Sequence, residues 1–317
     1  MVEVAIVAFE GISMFHLSVP IAIFRDALLN EQKLFNVRVC SEMGGQVNSA
    51  DGLGIDIQND ISMINQADIV IVPSWIPDKI PSTSLKRQLV AAHQSNKLIV
   101  GLCIGAYAIA HCGVLNGMRA TTHWKYGADF AKKFPLITCD INPLFIVERN
   151  VITSAGSAAA IDCCLHIVKH YYGVKVANKI ARVMVSSPER NGGQNQYIET
   201  PTIEKPSDER IAKLVDLILE NITDTYTLES VAEYCMMSVR SFSRNFKSSN
   251  AISFNAWLIN VRLNYSLELL ESTSLTVSEI SERAGFHSEQ IYRKHFIKKY
   301  DIPPKAWQKT FKSPNHN

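Results

Sequence analysis

Cys103 stands at the junction of two patterns. Lys97-Leu-Ile-Val-Gly-Leu-Cys103 is a short, apolar, β-rich run, and Ile-Gly-Ala-Tyr-Ala-Ile-Ala110 continues it directly as a helical one. Small residues at Gly101, Gly105 and Ala106 let the backbone turn sharply, as in a nucleophile elbow, where a side chain is lifted above a sheet at the start of a helix. There the positive end of the helix is expected to favour a thiolate and lower the cysteine pKa. Twenty residues on, Arg119-Ala-Thr-Thr-His123-Trp places a histidine at the end of another short strand, positioned to polarise the thiol. Thiol chemistry, a small-molecule pocket, and a plain buried cysteine are the three readings of this pair.

A second set of reactive side chains lies near the far end. Val277, Ile280, Ser281 and Ala284 make one small face of a short helix, Gly285 stops it, and Ser288 offers an oxygen to cap the next. Tyr292 and Phe296, spaced i and i+4, turn inward; Glu289, Gln290, Arg293 and Lys294 are left outside, a set suited to base edges and phosphates. Fifty residues earlier the pattern has a copy. Leu228, Val231, Ala232 and Cys235 form the stripe, Ser238 the cap, Phe242 and Phe246 the inner face, and Arg240, Ser241, Ser243 and Arg244 the outer one. A solvated charged face explains either copy alone, but not both with matching caps.

These residues need two different frames. Val2–Phe9, Phe35–Cys40, Ile69–Trp75 and Leu98–Cys103 are short β-rich runs separated by helical segments such as Pro20–Leu29, which implies a parallel sheet covered on both faces. A hairpin is expected over Phe145–Thr153 with Glu-Arg-Asn at its turn, and two helices over Ala158–Tyr172 and Val176–Val185. The polar, Gly- and Pro-rich stretch 191–207 reads as a linker between domains at 1–190 and 208–317. The second domain opens with a helix whose apolar positions are Ile211, Leu214, Val215, Ile218 and Ile222.

The total net charge is only +2, but it is unevenly placed: 3 basic and 9 acidic residues from Asn191 to Val239, then 12 and 6 from Arg240 to the end. Positive charge therefore concentrates on and after the first outward-facing helix, where phosphates would need it. The seven cysteines include no C-x-x-C pair, so reduced thiols in the cytoplasm are expected. Met1–Phe9 has no cationic leader and reads as a first strand rather than a signal. The longest nearly apolar run, Leu98–Ala110, is too short to span a bilayer.

Residues 2 to 196 resemble the class I glutamine amidotransferase-like, PfpI-type group. The likeness rests on Cys103, the Gly113–Gly117 to Thr121-Thr-His-Trp124 block, Thr153-Ser-Ala-Gly156 with Ile161-Asp162, and Gly192-Gly-Gln194. It implies an α/β doubly wound, flavodoxin-like fold with Cys103 and His123 at the rim of a small pocket that also takes in His16, Trp75 and Ile104. Where catalytic members carry an acid that hydrogen-bonds the sulfur, this chain has His16. Where they tend to have glycine after Val-Pro, it has Ser74-Trp75. Both departures favour a binding pocket over an enzyme, with no catalytic residue, metal or cofactor expected. A thiol-dependent hydratase or amidase using Cys103, or a redox sensor at that sulfur, is the alternative.

Residues 208 to 311 closely resemble the AraC/XylS family of transcription regulators. The likeness is carried by Leu228–Ala232, Ser238–Phe246, Arg262-Leu263, Leu269-Leu270, Ala284-Gly-Phe286, Ser288, Phe296 and Pro303-Pro-Lys-Ala-Trp307. It implies an all-α domain of seven helices with two helix-turn-helix motifs, whose reading helices enter successive major grooves about 34 Å apart. Asn250 replaces a usual glycine after the first reading helix, and Asp301 another after the second. The whole chain is accordingly expected to be a dimeric regulator, more usually an activator. It would bind promoter half-sites in double-stranded DNA, work with RNA polymerase and answer to a small-molecule effector.

Overall fold

The computed structural model of the 317-residue chain describes residues 1–29, 32–187, 193–194, 208–250 and 252–311. It separates into two compact units, Met1–Gln194 and Asn195–Asn317. Of the expected linker 191–207, only Gly193 and Gln194 are among the described residues.

The first unit is built on a seven-stranded sheet: β1 (Val2–Val7), β2 (Phe35–Ser41), β3 (Asn59–Asp60), β4 (Ile69–Val72), β5 (Leu98–Gly101), β6 (Phe145–Glu148) and β7 (Val151–Ser154). Their order across the sheet is β6-β7-β5-β4-β1-β2-β3. All pairs are parallel except the edge hairpin β6–β7, which turns at Arg149 (φ 54°) and Asn150. All four residues of β4 are buried, as a strand covered on both faces requires. The covering helices are α1 (Met14–Arg25), α2 (Thr83–Gln94), α3 (Ala106–His111), α4 (Gly127–Lys133) and α5 (Ala159–Val183).

Two details depart from the sequence pattern. The helix expected over Pro20–Leu29 begins at Met14, whose N–H donates to the Asp51 carboxylate at 2.8 Å, and it ends at Arg25. Pro20 thus lies inside the helix, where it leaves the His16 carbonyl without its usual donor. A small ribbon, Gly45–Asn48 paired with Gly54–Ile57, lies in a stretch with no strong alternation. The two expected C-terminal helices of this unit are present as α5, interrupted at Gly173 (φ 82°, ψ 169°).

The second unit has seven helices among the described residues: α6 (Glu209–Glu220), α7 (Leu228–Tyr234), α8 (Val239–Asn250), α9 (Phe254–Ser272), α10 (Val277–Arg283), α11 (Glu289–Tyr300) and α12 (Pro304–Phe311). Its apolar interior forms two clusters. One runs from Ile211 to Val261 and holds Phe242, Phe246 and Trp257; the other runs from Leu263 to Trp307 and holds Ile280, Tyr292 and Phe296. Each cluster carries one helix-turn-helix, and α9 passes through both. Asn250 closes α8 by donating its amide to the Phe246 carbonyl at 3.1 Å, and Asp301 ends α11 in the left-handed region at φ 60°. Asp tolerates such a position because its short side chain bonds locally, whereas Asn250 stays within the helix.

Candidate functional site

The elbow is present. After β5, Cys103 takes φ 53°, a short 3₁₀ turn spans Cys103–Gly105, and α3 follows at once. Gly105 lies directly on the sheet: a Cβ there would fall 2.1 Å from the Val72 carbonyl oxygen. A left-handed cysteine is strained and persists only where neighbours hold it. Here its N–H donates to Ser154 Oγ at 3.2 Å and its carbonyl accepts from Thr122 Oγ1 at 3.0 Å.

The expected depressed thiol pKa is not found. Burial pushes the Cys103 thiol above its ordinary value, against the opposing pull of the Ser157 and Ile104 N–H groups and the Ser157 hydroxyl. The helix that follows has only six residues, and the sulfur's residue is 3% exposed, so loss of water outweighs the partial positive charge at the helix start. Cys103 is a neutral thiol at neutral pH.

His16 and His123 both face this region. His123 caps the short turn at Trp124–Tyr126: its Nδ1 accepts from the Lys125 N–H at 3.2 Å. The neutral ring's proton is thereby assigned to Nε2, which leaves no free ring lone pair to take a proton from sulfur. No hydrogen bond joins His123 to Cys103 among the described residues. The His123 ring instead lies against Gly156, where a Cβ would come within 2.5 Å of Cδ2. His16, half-buried in the first turn of α1, has Nε2 3.5 Å from Ser157 Oγ, and its buried Nδ1 has no partner. Burial lowers both histidine pKa values; His123 lowers that of His16 further, and Lys125 that of His123. The result, among the described residues, is a cluster of thiol, two imidazoles and a hydroxyl with no carboxylate hydrogen-bonded to it, although the Asp51 charge opposes the lowering at His16.

Ser157 ties the cluster together, and sequence reasoning missed it. Its φ of 26° is unusual for a side-chain-bearing residue, and it stands between Cys103 and His16. The only signal was its place directly after Thr153-Ser-Ala-Gly156. Ile104 follows the thiol and is partly buried against the core. Trp75 is placed elsewhere. It packs against Phe9 with centroids 4.6 Å apart and ring planes tilted by 51°, donates Nε1–H to the Lys79 carbonyl at 2.6 Å, and lines a 260 Å³ cleft that includes none of His16, Cys103, Ile104 or His123. Among the described residues no group of three His, Cys, Asp or Glu side chains is arranged to hold a metal.

Gln194, 3% exposed, locks the loops around the cluster. Its Oε1 accepts from the N–H groups of Trp124 (3.0 Å) and Gly156 (3.3 Å), while Nε2 donates to the carbonyls of Thr122 (2.9 Å) and Ile141 (2.7 Å). Its own N–H donates to the Asn142 carbonyl at 2.7 Å. One side chain thus fixes both the His123 turn and the Gly156–Ser157 turn.

In the second unit the caps are made by side chains. Thr227 and Thr276 form reciprocal capping boxes at the starts of α7 and α10. Ser288 Oγ accepts from the Ile291 N–H at 3.2 Å, and Ser238 Oγ from the Ser241 N–H at 3.2 Å. Ser241 also receives the Ser238 hydroxyl at 3.0 Å, so its side chain serves the cap. On α8, Arg240, Arg244 and Lys247 are exposed along one stripe, Ser243 is half-buried beside it, and neither arginine has an ion pair among the described residues. On α11, Gln290 and Lys294 are exposed, whereas Glu289 is bound to Arg293 at 2.6 Å. Sequence reasoning had those two as separate contacts; the structure makes them one paired group.

The sequence pattern of the DJ-1/PfpI family matches residues 2–170. The chain belongs to the DJ-1/PfpI family. A helix-turn-helix domain matches at residues 231–310. The HTH-type transcriptional regulator GbdR of Pseudomonas aeruginosa is 25% identical over 281 residues, which is 87% of this chain and 76% of GbdR. From the same organism, the HTH-type transcriptional regulator ArgR is 28% identical over 228 residues, 70% of this chain and 69% of ArgR. The crystal structure of an AraC family transcriptional regulator from Pseudomonas putida superposes with a TM-score of 0.53 at 20% identity. It covers 58% of this chain and 100% of that one, a likeness of fold. This DJ-1/PfpI-family chain, with its AraC-type helix-turn-helix domain, is a DNA-binding transcription regulator. No described helix is long and apolar enough to cross a membrane.

Proposed function

We propose that the DJ-1/PfpI unit is a sensor, binding a small molecule at the cluster of His16, Cys103, Ile104, His123 and Ser157, and that binding controls the grip on DNA. The observation that carries this reading is Gln194. It bonds the two loops at the cluster and immediately precedes the stretch leading to the helix-turn-helix unit, so a ligand that displaces His123 or Gly156 must also disturb it. The unpartnered Nδ1 of His16 supports a ligand with a polar group, because a buried nitrogen without a partner costs free energy that a ligand would recover. The regulator acts in the cytoplasm as a homodimer on paired half-sites and activates by contact with RNA polymerase. Base and phosphate contacts come from Arg240, Ser243, Arg244, Gln290, Arg293 and Lys294, with Ser241 and Glu289 orienting them. The enzymatic alternative is disfavoured by the neutral thiol and by a His123 lone pair already committed to Lys125.

The test is a thermal-shift screen of small polar compounds on the full chain, followed by footprinting of its own upstream DNA with each hit. A hit should raise the melting temperature and alter the footprint, and Gln194→Ala, which starts from a lower melting temperature because the two loops lose their shared side chain, should lose the change in footprint. A footprint that no compound or cell extract alters overturns ligand control, and absence of any protected site overturns the DNA-binding assignment.

A further inference from the structure

The two apolar clusters of the helical unit adjoin along α9. In α9, Val261 belongs to the first cluster and Leu263 to the second. Arg262, between them, is only 8% exposed, and among the described residues it has no acidic partner. Its guanidinium donates instead to two backbone carbonyls in the turn after α6: Nε to Ile222 at 3.1 Å and the terminal nitrogen to Asp224 at 2.6 Å. The same point is pressed from the second half. Gly285, in the turn between α10 and α11, lies so close that a Cβ would fall 2.4 Å from the Ile222 carbonyl oxygen and 2.8 Å from Arg262 Nε. Three segments therefore converge on one guanidinium: the α6–α7 turn of the first half, the shared helix, and the turn that launches α11.

We infer that Arg262 is the positioning residue that sets the relative placement of α8 and α11, and with it the spacing between the two DNA segments that the protein reads. Apolar side chains packed against one another can slide by fractions of an ångström at little cost, because contact energy is weakly directional. Two charge-assisted hydrogen bonds from a planar group to fixed carbonyls are directional. Without them the halves are joined at this point by a single helix and by apolar contact. Arg262 touches no DNA in this scheme. Its effect is on which spacings are tolerated rather than on any base.

The spacing consequence can be read directly. An operator is first selected from random DNA with the wild-type chain, and variants of it are made with one base pair inserted or removed between the two contacted segments, a change of roughly a tenth of a helical turn. Wild type should lose about tenfold in affinity on the altered spacings, comparable to a mismatched base pair. Arg262→Lys keeps the positive charge but not the fork, and Arg262→Met keeps neither. Both should bind the original operator more weakly and discriminate against altered spacing about threefold or less, while binding to DNA with one contacted segment scrambled stays as in wild type. A uniform loss on every DNA, with the wild-type spacing ratio retained by variants whose circular dichroism is native, overturns the inference. So does failure of both variants to fold, which would assign Arg262 to stability alone.

Discussion

The two helix-turn-helix halves adopt the same backbone with different chemistry at the tightest point, and the difference shows what packing adds to a local rule. Each first helix ends in a left-handed residue, Met236 at φ 52° in one half and Gly285 at φ 78° in the other. In the first half that residue's side chain projects into solvent, 83% exposed, so a non-glycine pays only the modest conformational cost. In the second half the Ile222 carbonyl and Arg262 fill the place where a side chain would begin. Turn geometry alone permits either residue, but the joint between the halves demands glycine. The outer faces differ as well. α8 presents Arg240, Arg244 and Lys247 without an ion pair among the described residues, and α11 presents Arg293 already held by Glu289. Under the proposed function the first face would meet phosphates and the second would discriminate between bases.

The largest way to test this comparison is Gly285→Ala. It adds the left-handed penalty to a direct clash and should cost about 2–5 kcal/mol of stability, measured by denaturant unfolding. A loss below that of an ordinary surface substitution would show that the joint yields. Next is Arg244→Ala, expected to weaken specific binding by about 1–3 kcal/mol if the side chain reads a base. If it meets only phosphate, the loss should be uniform across sequences with a shallower salt dependence, as gel shifts at several salt concentrations would reveal. Glu289→Ala releases Arg293 and should relax base preference in a selection experiment by about 1 kcal/mol while leaving affinity nearly intact. Reduced affinity with unchanged preference would mean that α11 does not discriminate.

A smaller effect concerns Lys299, which occupies the place of Ser249 in the first half. Burial lowers its pKa from 10.5 to about 8. The folded state therefore disfavours its charged form, so this penalty is present in full below about pH 8 and fades as pH rises toward 10.5, where the unfolded chain also loses the proton. Stability should rise with pH across that window, and Lys299→Met should flatten the trend in thermal melts. The smallest change is expected for Met236→Gly, where relief of strain and the greater freedom of the unfolded chain roughly cancel, within about 0.5 kcal/mol. A large effect there would make the first turn as constrained as the second.

What was legible in the sequence follows from the range over which each feature is determined. The caps at Ser238 and Ser288, the stop at Gly285 and the inward aromatics depend on neighbours within four residues, and the structure has them as the pattern implies. The elbow at Cys103 is equally local. Its thiol pKa is not, because burial is contributed by segments far along the chain and reverses the effect of the helix start. Ser157 is hidden for the same reason, and so is what Gln194 does within the motif that names it: their partners lie 38 to 141 residues away. The Glu289–Arg293 pair is legible in the sequence, since a carboxylate four residues before a cation is a common helical pairing, although either residue type also suits DNA on its own.

Gln194 also has a practical meaning for anyone cutting this gene. A fragment ending at residue 190 would lack the side chain that fills the donors and acceptors of Trp124, Gly156, Thr122 and Ile141, and would present them bare. Such a fragment should aggregate or melt early, while one extended by only four residues carries its own keystone. The end of a folding unit, by this measure, is the last residue whose side chain the rest of the unit needs.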